Sequence, residues 1–159
     1  MGTQSGRRVI SGRAIERRSI SGNRVVGHDR GPYRGGVHEV VLLIAHGSRN
    51  PAAAADHARL CGEVAARSGN DVRPAYLEIS EPSIPAAIDA AVAAGATTVR
   101  LLPYFLHVGN HVALDLPEIV AAGRLRHPGS TVVLEPHVGA HPGLIDMVAG
   151  LVAGPDEHT

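Results

Sequence analysis

From Glu39 onward, short apolar runs alternate with longer alanine-rich stretches, and this alternation limits the chain to few folds. Residues 40–45 read VVLLIA, an unbroken apolar run typical of a strand that is buried on both faces of a sheet. The predicted strands span 40–45, 71–78, 97–106 and 131–136. The predicted helices span 52–69, 82–95, 111–129 and 142–154. Strands that alternate with helices of this length indicate a mainly parallel sheet with right-handed crossovers.

The predicted fold class is therefore α/β, a three-layer αβα arrangement around a four-stranded mainly parallel sheet. Pro74 interrupts the second predicted strand and places it at a sheet edge, because proline cannot donate to the hydrogen-bond ladder. In the doubly wound order 2-1-3-4, the winding reverses between the first and third strands. Ligands of such sheets bind beyond the carboxyl ends of the strands at this switch point.

Length and composition indicate one folded domain with a basic extension. The chain has 159 residues, of which 44% are hydrophobic, enough for a single core. Residues 1–38 carry eight arginines against two acidic residues and lack a sustained apolar pattern, so we predict a disordered extension there and a single domain over 39–159. A basic extension can also tether a chain to an anionic surface or nucleic acid. We interpret it as simply unstructured, and nucleic acid is not an expected partner.

The single cysteine and the short apolar runs bear on the compartment. Cys61 lies in an alanine-rich helical run and cannot form an internal disulfide, which predicts a buried thiol in a reducing environment. No apolar run approaches the roughly 18 residues of a membrane helix. We therefore expect a cytoplasmic protein with no membrane partner.

Ten histidines and no lysine direct attention to metal or proton chemistry. His46 ends the first strand, and the sequence HVGNH at 107–111 follows the third strand. Neighbouring strands lie about 4.8 Å apart, so side chains from these two places can reach one ion or substrate. The similar HVGAH at 137–141 follows the fourth strand, about 10 Å from His46, and is expected to flank the site. Such histidines suit Co²⁺, Fe²⁺, Ni²⁺ or Zn²⁺.

Several of the candidate side chains could have a structural role instead of a functional one. His46 could merely cap a turn. Glu78 or Glu81 could accept a proton or bind a cation, whereas Glu81 could instead simply favour the positive end of the next helix. Ser48 would be the nucleophile if the chain were a hydrolase, although no G-x-S-x-G sequence is present. A non-catalytic metal carrier or sensor could use the same histidines. Three aromatic residues at strand ends are expected to wall a pocket for a large flat ligand, namely Tyr76, Tyr104 and Phe105.

Four ordered stretches resemble one family. They read LLIAHGSRNP, LEISEPSIPAAI, LPYFLHVGNHVALDLPEI and VGAHPGL, and together they span about residues 39–153. They are similar to the short form of the CbiX/SirB family, the class II chelatases that insert cobalt or iron into sirohydrochlorin. The resemblance implies a chelatase-like fold, lyase activity on a tetrapyrrole, and a homodimer that completes a two-lobed site.

The resemblance also implies roles for particular residues. His46 matches the metal-binding proton acceptor, and His111 matches the second metal ligand. Segments matching those that contact the tetrapyrrole contain Glu81, Leu106, His107, Val108, Gly109, Asn110 and His111. Weaker candidates are Glu78, Arg49, Tyr104 and His141, the last in a turn whose role we interpret as mainly structural. The divalent metal, Co²⁺ or Fe²⁺ with Ni²⁺ also admitted, is a substrate, and no organic cofactor is implied. The motifs do not distinguish the cobalamin branch from the sirohaem branch.

Overall fold

A computed structural model of the protein describes residues 37–107 and 109–154, apart from the side chains of residues 110 and 111. The strands are β1 (Glu39–Ala45), β2 (Asp71–Tyr76), β3 (Thr98–Pro103) and β4 (Thr131–Leu134). The helices are α1 (Pro51–Ser68), α2 (Ile84–Ala93), α3 (Asn110–Arg126) and α4 (Pro142–Ala153), with a 3₁₀ turn at Val138–Ala140. The predicted disorder of residues 1–38 falls mostly outside the described residues. His38 is buried, and its backbone N–H bonds the Thr97 hydroxyl.

The four strands form one parallel sheet in the order β2-β1-β3-β4, as predicted. Pro74 lies on the edge strand β2, opposite Leu43 of β1. A proline lacks a backbone N–H, and an edge strand tolerates this because it has a neighbouring strand on one side only. β1 and β3 run side by side, with Ile44 opposite Pro103. The switch point between their carboxyl ends is therefore present in the structure.

The main core lies between one face of the sheet and helices α2 and α3. Because strand side chains alternate between faces, Val40, Leu42 and Ile44 all point to this core and are fully buried. Val41 and Leu43 point to the opposite face, where α1 packs. There, a ring nitrogen of His57 lies 3.0 Å from the Leu43 carbonyl oxygen.

Cys61 of α1 is 2% exposed, which confirms the predicted buried thiol. Burial raises the pKa of this thiol to about 11, because the thiolate would lose its solvation. At neutral pH the group is a protonated, unreactive part of the packing.

Sequence patterns placed the elements correctly but extended several too far. β2 ends at Tyr76 instead of residue 78, β3 at Pro103 instead of 106, and β4 at Leu134 instead of 136. The apolar residues after each strand belong to loops that leave the sheet at its carboxyl edge. Helix α1 is capped at both ends: the Asn50 side chain accepts from the Ala52 N–H, and Gly69 closes the helix with φ 71°.

None of the described helices combines the length and the apolar character that crossing a bilayer requires.

Candidate functional site

His46 leaves β1 at the carboxyl edge of the sheet and is exposed. Its backbone carbonyl accepts a hydrogen bond from the Glu78 N–H at 2.9 Å, so the loop after β2 lies directly against it. Gly47 follows with φ +98°, and a Cβ at this position would collide with the Glu78 carbonyl oxygen. The two loops approach so closely that only glycine fits between them.

The imidazole of His46 packs against the ring of Phe105. The ring centroids are 4.3 Å apart and the planes are tilted by 31°. Phe105 itself is 4% exposed and belongs to the core, so it is a fixed support. The Tyr104 N–H donates to the Ile44 carbonyl at 2.7 Å, which draws the loop after β3 to the end of β1. An aromatic contact of this kind contributes about 0.5–1.5 kcal/mol and restricts the orientation of His46.

The loop after β3 leads into α3, where the second predicted ligand lies. Leu106 and His107 are exposed, and Gly109 is the residue before the helix, its carbonyl accepting from the Ala113 N–H at 3.1 Å. His111 is the second residue of α3. Val108 and the side chains of Asn110 and His111 lie outside the described residues. The predicted pairing of His46 with His111 stays a prediction.

The two similar histidine loops contact each other through one carbonyl group. Phe105 accepts hydrogen bonds from Nδ1–H of His137 at 3.1 Å and from the Gly139 N–H at 2.8 Å. A Cβ on Gly139 would overlap the Leu106 carbonyl. The second loop therefore holds the first loop in place, and it does so at the residue that supports His46. The family resemblance gave His137 no role of its own, and the repeated HVG, which led us to expect residues 137–141 beside the site, was the sequence signal for this contact.

Other candidates have local hydrogen bonds. The Glu81 carboxylate accepts from the Ser83 N–H at 2.8 Å beside the start of α2, which fits the simpler reading of Glu81. The His141 ring nitrogen Nδ1 accepts from the Gly143 N–H at 3.1 Å and caps α4, in accord with a structural role. Arg49 and Glu78 have exposed side chains on the loops near His46. Ser48 Oγ accepts from the Asn50 N–H at 3.1 Å, a contact that belongs to the turn before α1.

The prediction that three aromatic residues wall a pocket is wrong for two of them. Tyr76 is 3% exposed, and its hydroxyl donates to the Ala54 carbonyl under α1. Phe105 is buried beneath His46. Tyr104, at 47% exposure, is the one that faces a groove. Successive side chains of an extended backbone point in opposite directions, so Tyr104 faces the groove while the next residue, Phe105, faces the core.

A groove of about 770 Å³ opens beside the strand ends, within the range of 300–1,000 Å³ that is typical of ligand sites. Three candidate residues line it, namely Tyr104, Leu106 and His141, together with His137. No group of three or more His, Cys, Asp or Glu residues is placed to hold a metal ion within the described part of the chain. A closed metal site is therefore not formed by those residues alone.

The chain matches a known family and several known proteins. The family described as CbiX matches residues 40–153. A chloroplastic sirohydrochlorin ferrochelatase of Arabidopsis thaliana is 28% identical over 130 residues, which cover 80% of this chain and 58% of that protein. A sirohydrochlorin cobaltochelatase of Methanosarcina barkeri is 31% identical over 119 residues, covering 70% of this chain and 89% of its own length. Several curated relatives, including the Arabidopsis protein, are thus matched over little more than half their length.

Solved structures share the fold. A CbiX protein from Marinobacter aquaeolei VT8, described as a cobalamin biosynthesis protein, superposes with a TM-score of 0.64 at 26% identity, covering 72% of this chain and 94% of that one. The sirohydrochlorin chelatase SirB of Bacillus subtilis, solved in complex with cobalt, gives a TM-score of 0.62 at 26% identity over 70% of this chain and 48% of its own. The match to the family runs from the second residue of β1 to the end of α4, and the chain therefore belongs to the CbiX family.

Proposed function

We propose that this chain is a lyase that inserts Co²⁺ or Fe²⁺ into sirohydrochlorin, with the metal ion as a substrate. The observation that carries the proposal is the position of His46. Its exposed imidazole stands at the switch point, supported by Phe105, on the loop next to the one that leads to His111. The names of the relatives, which include both cobaltochelatases and ferrochelatases, support the reaction without choosing the metal.

In the proposed mechanism, His46 and His111 hold the ion, and His46 also serves as the base. Metalation removes two pyrrole protons from the macrocycle while the ion moves into it. A neutral imidazole can release the ion and accept one of those protons near pH 7, and the second proton passes to solvent water. The Phe105 ring limits the motion of His46, so that its nitrogens keep one orientation during this exchange.

The substrate would lie along the loop after β3. Leu106 is 60% exposed and Tyr104 is 47% exposed, and together they offer an apolar surface to a flat macrocycle. Arg49, on the neighbouring loop after β1, supplies a positive charge for the carboxylates of the substrate. Glu81 and the segment 106–111 are the further proposed contacts.

We propose that a second copy of the chain completes the site. The chain matches 48% of the Bacillus protein, so that protein has the length for a second unit of this size. A homodimer would supply the equivalent second lobe here, with the tetrapyrrole between the two switch points.

The test is the change in sirohydrochlorin absorbance on metalation by the full chain with Co²⁺ and, separately, Fe²⁺. We expect His46→Ala and His111→Ala each to lower the rate by at least about 100-fold, since general-base groups contribute about 10²–10⁴-fold. His127→Ala is the matched control, because His127 pairs with Asp89 on the α2–α3 side of the molecule. It should keep the wild-type rate.

The other outcomes are distinct. If the double variant His46→Ala, His111→Ala metalates at the wild-type rate, the proposed site is wrong. If the wild-type chain binds Co²⁺ tightly but neither binds nor metalates sirohydrochlorin, it is a metal carrier. Ester hydrolysis that depends on Ser48 and resists chelators would make it a hydrolase.

A further inference from the structure

The loop between β2 and α2 contains a residue in a rare backbone conformation. Ile79 has φ 66°, and among the described residues it is the only one other than glycine with a positive φ. A β-branched side chain is strongly disfavoured in this region, because its Cβ crowds a neighbouring carbonyl oxygen. At the four other positive-φ positions of the described chain the residue is glycine, which has no Cβ. The backbone of Ile79 is therefore strained.

Hydrogen bonds on both sides of Ile79 hold the loop in this conformation. The Ser80 N–H donates to the Glu78 carbonyl at 2.6 Å and closes a three-residue turn around Ile79, a rare and strained type when the central φ is positive. The Glu78 N–H donates to the His46 carbonyl. The Ser80 hydroxyl donates to the Ser48 carbonyl at 3.1 Å and accepts from the Ser48 N–H at 3.0 Å. The loop that carries His46 thus fixes the residues before and after Ile79.

The strained residue keeps a large apolar side chain that contributes little to the packing of the protein. Ile79 is 65% exposed and lies outside the core. Asparagine or glycine at this position would relieve the backbone strain, and the loss of an exposed side chain would remove few contacts. Backbone strain of this kind persists at functional sites, where the surrounding contacts enforce it. Stability therefore does not account for the isoleucine side chain, whereas contact with a ligand does.

Ile79 has an apolar counterpart on the other side of His46. In the sheet β1 lies between β2 and β3, so the loop carrying His46 lies between the loops carrying Ile79 and Leu106. Leu106 is 60% exposed. The strands β2 and β3 are separated by two strand spacings, or about 10 Å. Exposed aliphatic side chains on the two loops that flank an exposed imidazole suit a flat apolar ring system that lies across all three loops.

We propose that Ile79 contacts the face of the tetrapyrrole and, with Leu106, supports the macrocycle on both sides of His46. The inference rests on the proposed function and adds to it a substrate contact on the loop after β2. The hydrogen-bonded turn keeps the side chain exposed at the edge of the sheet until the macrocycle covers it. Little conformational freedom is then lost on binding, because the loop already has its bound conformation.

Binding of sirohydrochlorin to the full chain, followed by its absorbance without added metal ion, tests the proposal. We expect Ile79→Asn to raise the dissociation constant by about 10-fold or more, because covering most of an aliphatic side chain contributes about that factor. Ile79→Leu keeps an apolar side chain of the same size and should bind within about 2-fold of the wild type. Leu125→Asn is the matched control. Leu125 is 84% exposed near the end of α3, at the opposite end of that helix from His111, so this variant should bind like the wild type.

Thermal denaturation distinguishes a ligand contact from a structural role. Asparagine tolerates the left-handed region, so Ile79→Asn should melt at or above the wild-type temperature although it binds the substrate more weakly. A melting temperature lower than that of the wild type by more than about 3 °C would show that the side chain stabilises the fold, and this result would overturn the proposal. Equal dissociation constants for Ile79→Asn and the wild type, or an equal loss of binding in Leu125→Asn, would also overturn it.

Steady-state metalation separates this inference from the proposed function. Ile79→Asn should raise the KM for sirohydrochlorin and leave kcat nearly unchanged, because the contact is made equally in the ground state and the transition state. A chain that binds sirohydrochlorin but does not metalate it refutes the proposed function, and the dissociation constants still test the role of Ile79. Metalation by Ile79→Asn with the wild-type KM refutes the inference alone. A wild-type chain that does not bind sirohydrochlorin refutes both.

Discussion

Gly47 carries a constraint that a single substitution can measure. Its φ of +98° disfavours any side chain, and an added Cβ would meet the Glu78 carbonyl. We expect Gly47→Ala to lower the free energy of unfolding by about 3 kcal/mol or more, combining the cost of the left-handed backbone with that of overpacking. Urea denaturation followed by circular dichroism measures the change.

Gly62 is the matched control for Gly47. It lies within α1, and a Cβ there meets nothing within 4 Å. Gly62→Ala should raise the free energy of unfolding by about 0.5–1 kcal/mol, because alanine restricts the unfolded chain and favours the helix. Equal effects of the two substitutions would show that the close contact at Gly47 is not present.

At the scale of the element, the start of α1 depends on a single side chain. Asn50 Oδ1 accepts from the Ala52 N–H at 3.0 Å, whereas Ser83, before α2, makes no side-chain cap. We expect Asn50→Ala to lower the free energy of unfolding by about 1 kcal/mol, since it leaves an N–H of the first turn without this acceptor. Ser83→Ala should change it by less than about 0.5 kcal/mol. Thermal denaturation of the two variants side by side shows whether the side-chain hydrogen bond of Asn50, which Ser83 lacks, stabilises the protein.

At the scale of the whole molecule, Asp71 on the edge strand β2 makes the free energy of unfolding depend on pH. Two hydrogen bonds from Arg73, at 3.0 and 2.7 Å, hold the pKa of Asp71 below its ordinary value of 3.8, against the opposing effect of burial. A carboxyl group whose pKa is lower in the folded state binds protons more readily when unfolded. Its contribution is therefore complete above about pH 4 and is lost as the pH falls through the folded-state pKa.

The corresponding test compares Asp71→Asn with the wild type from pH 7 to pH 2. The variant should be about 1 kcal/mol less stable at pH 7 and should lose less stability on acidification, so the two curves converge. Asp146→Asn, on exposed α4, is the control and should follow the wild type. A constant difference between wild type and Asp71→Asn at every pH would contradict the assignment.

The sheet order could be predicted because its signals are local. An apolar run such as residues 40–45, a proline within β2 and a glycine after α1 each express a preference of a few neighbouring residues. The ends of the strands could not be predicted equally well. The apolar sequence continues after Pro103, whereas the pairing of β3 with β1 ends there, with Pro103 opposite Ile44.

The surroundings of the candidate site required the tertiary structure. His137 contacts Phe105 across 32 positions of the chain, and Phe105, after β3, contacts His46 at the end of the neighbouring strand β1. Such contacts depend on the paths of two loops, which no periodicity in the sequence encodes. The same limit explains why Tyr76 and Phe105 were expected in a pocket and proved to be buried.

By itself, the sequence determined the α/β class, the order of the strands, the burial of Cys61 and the edge of the sheet at which His46 lies, because residue period and backbone preference act over short distances. Only the tertiary structure decided that the two histidine loops meet at one carbonyl group, that Phe105 supports His46, and that the apolar side chains of α4 stay exposed beside the groove. These features follow from packing between distant segments, where shape and hydrogen-bond satisfaction choose among arrangements that the local sequence permits equally.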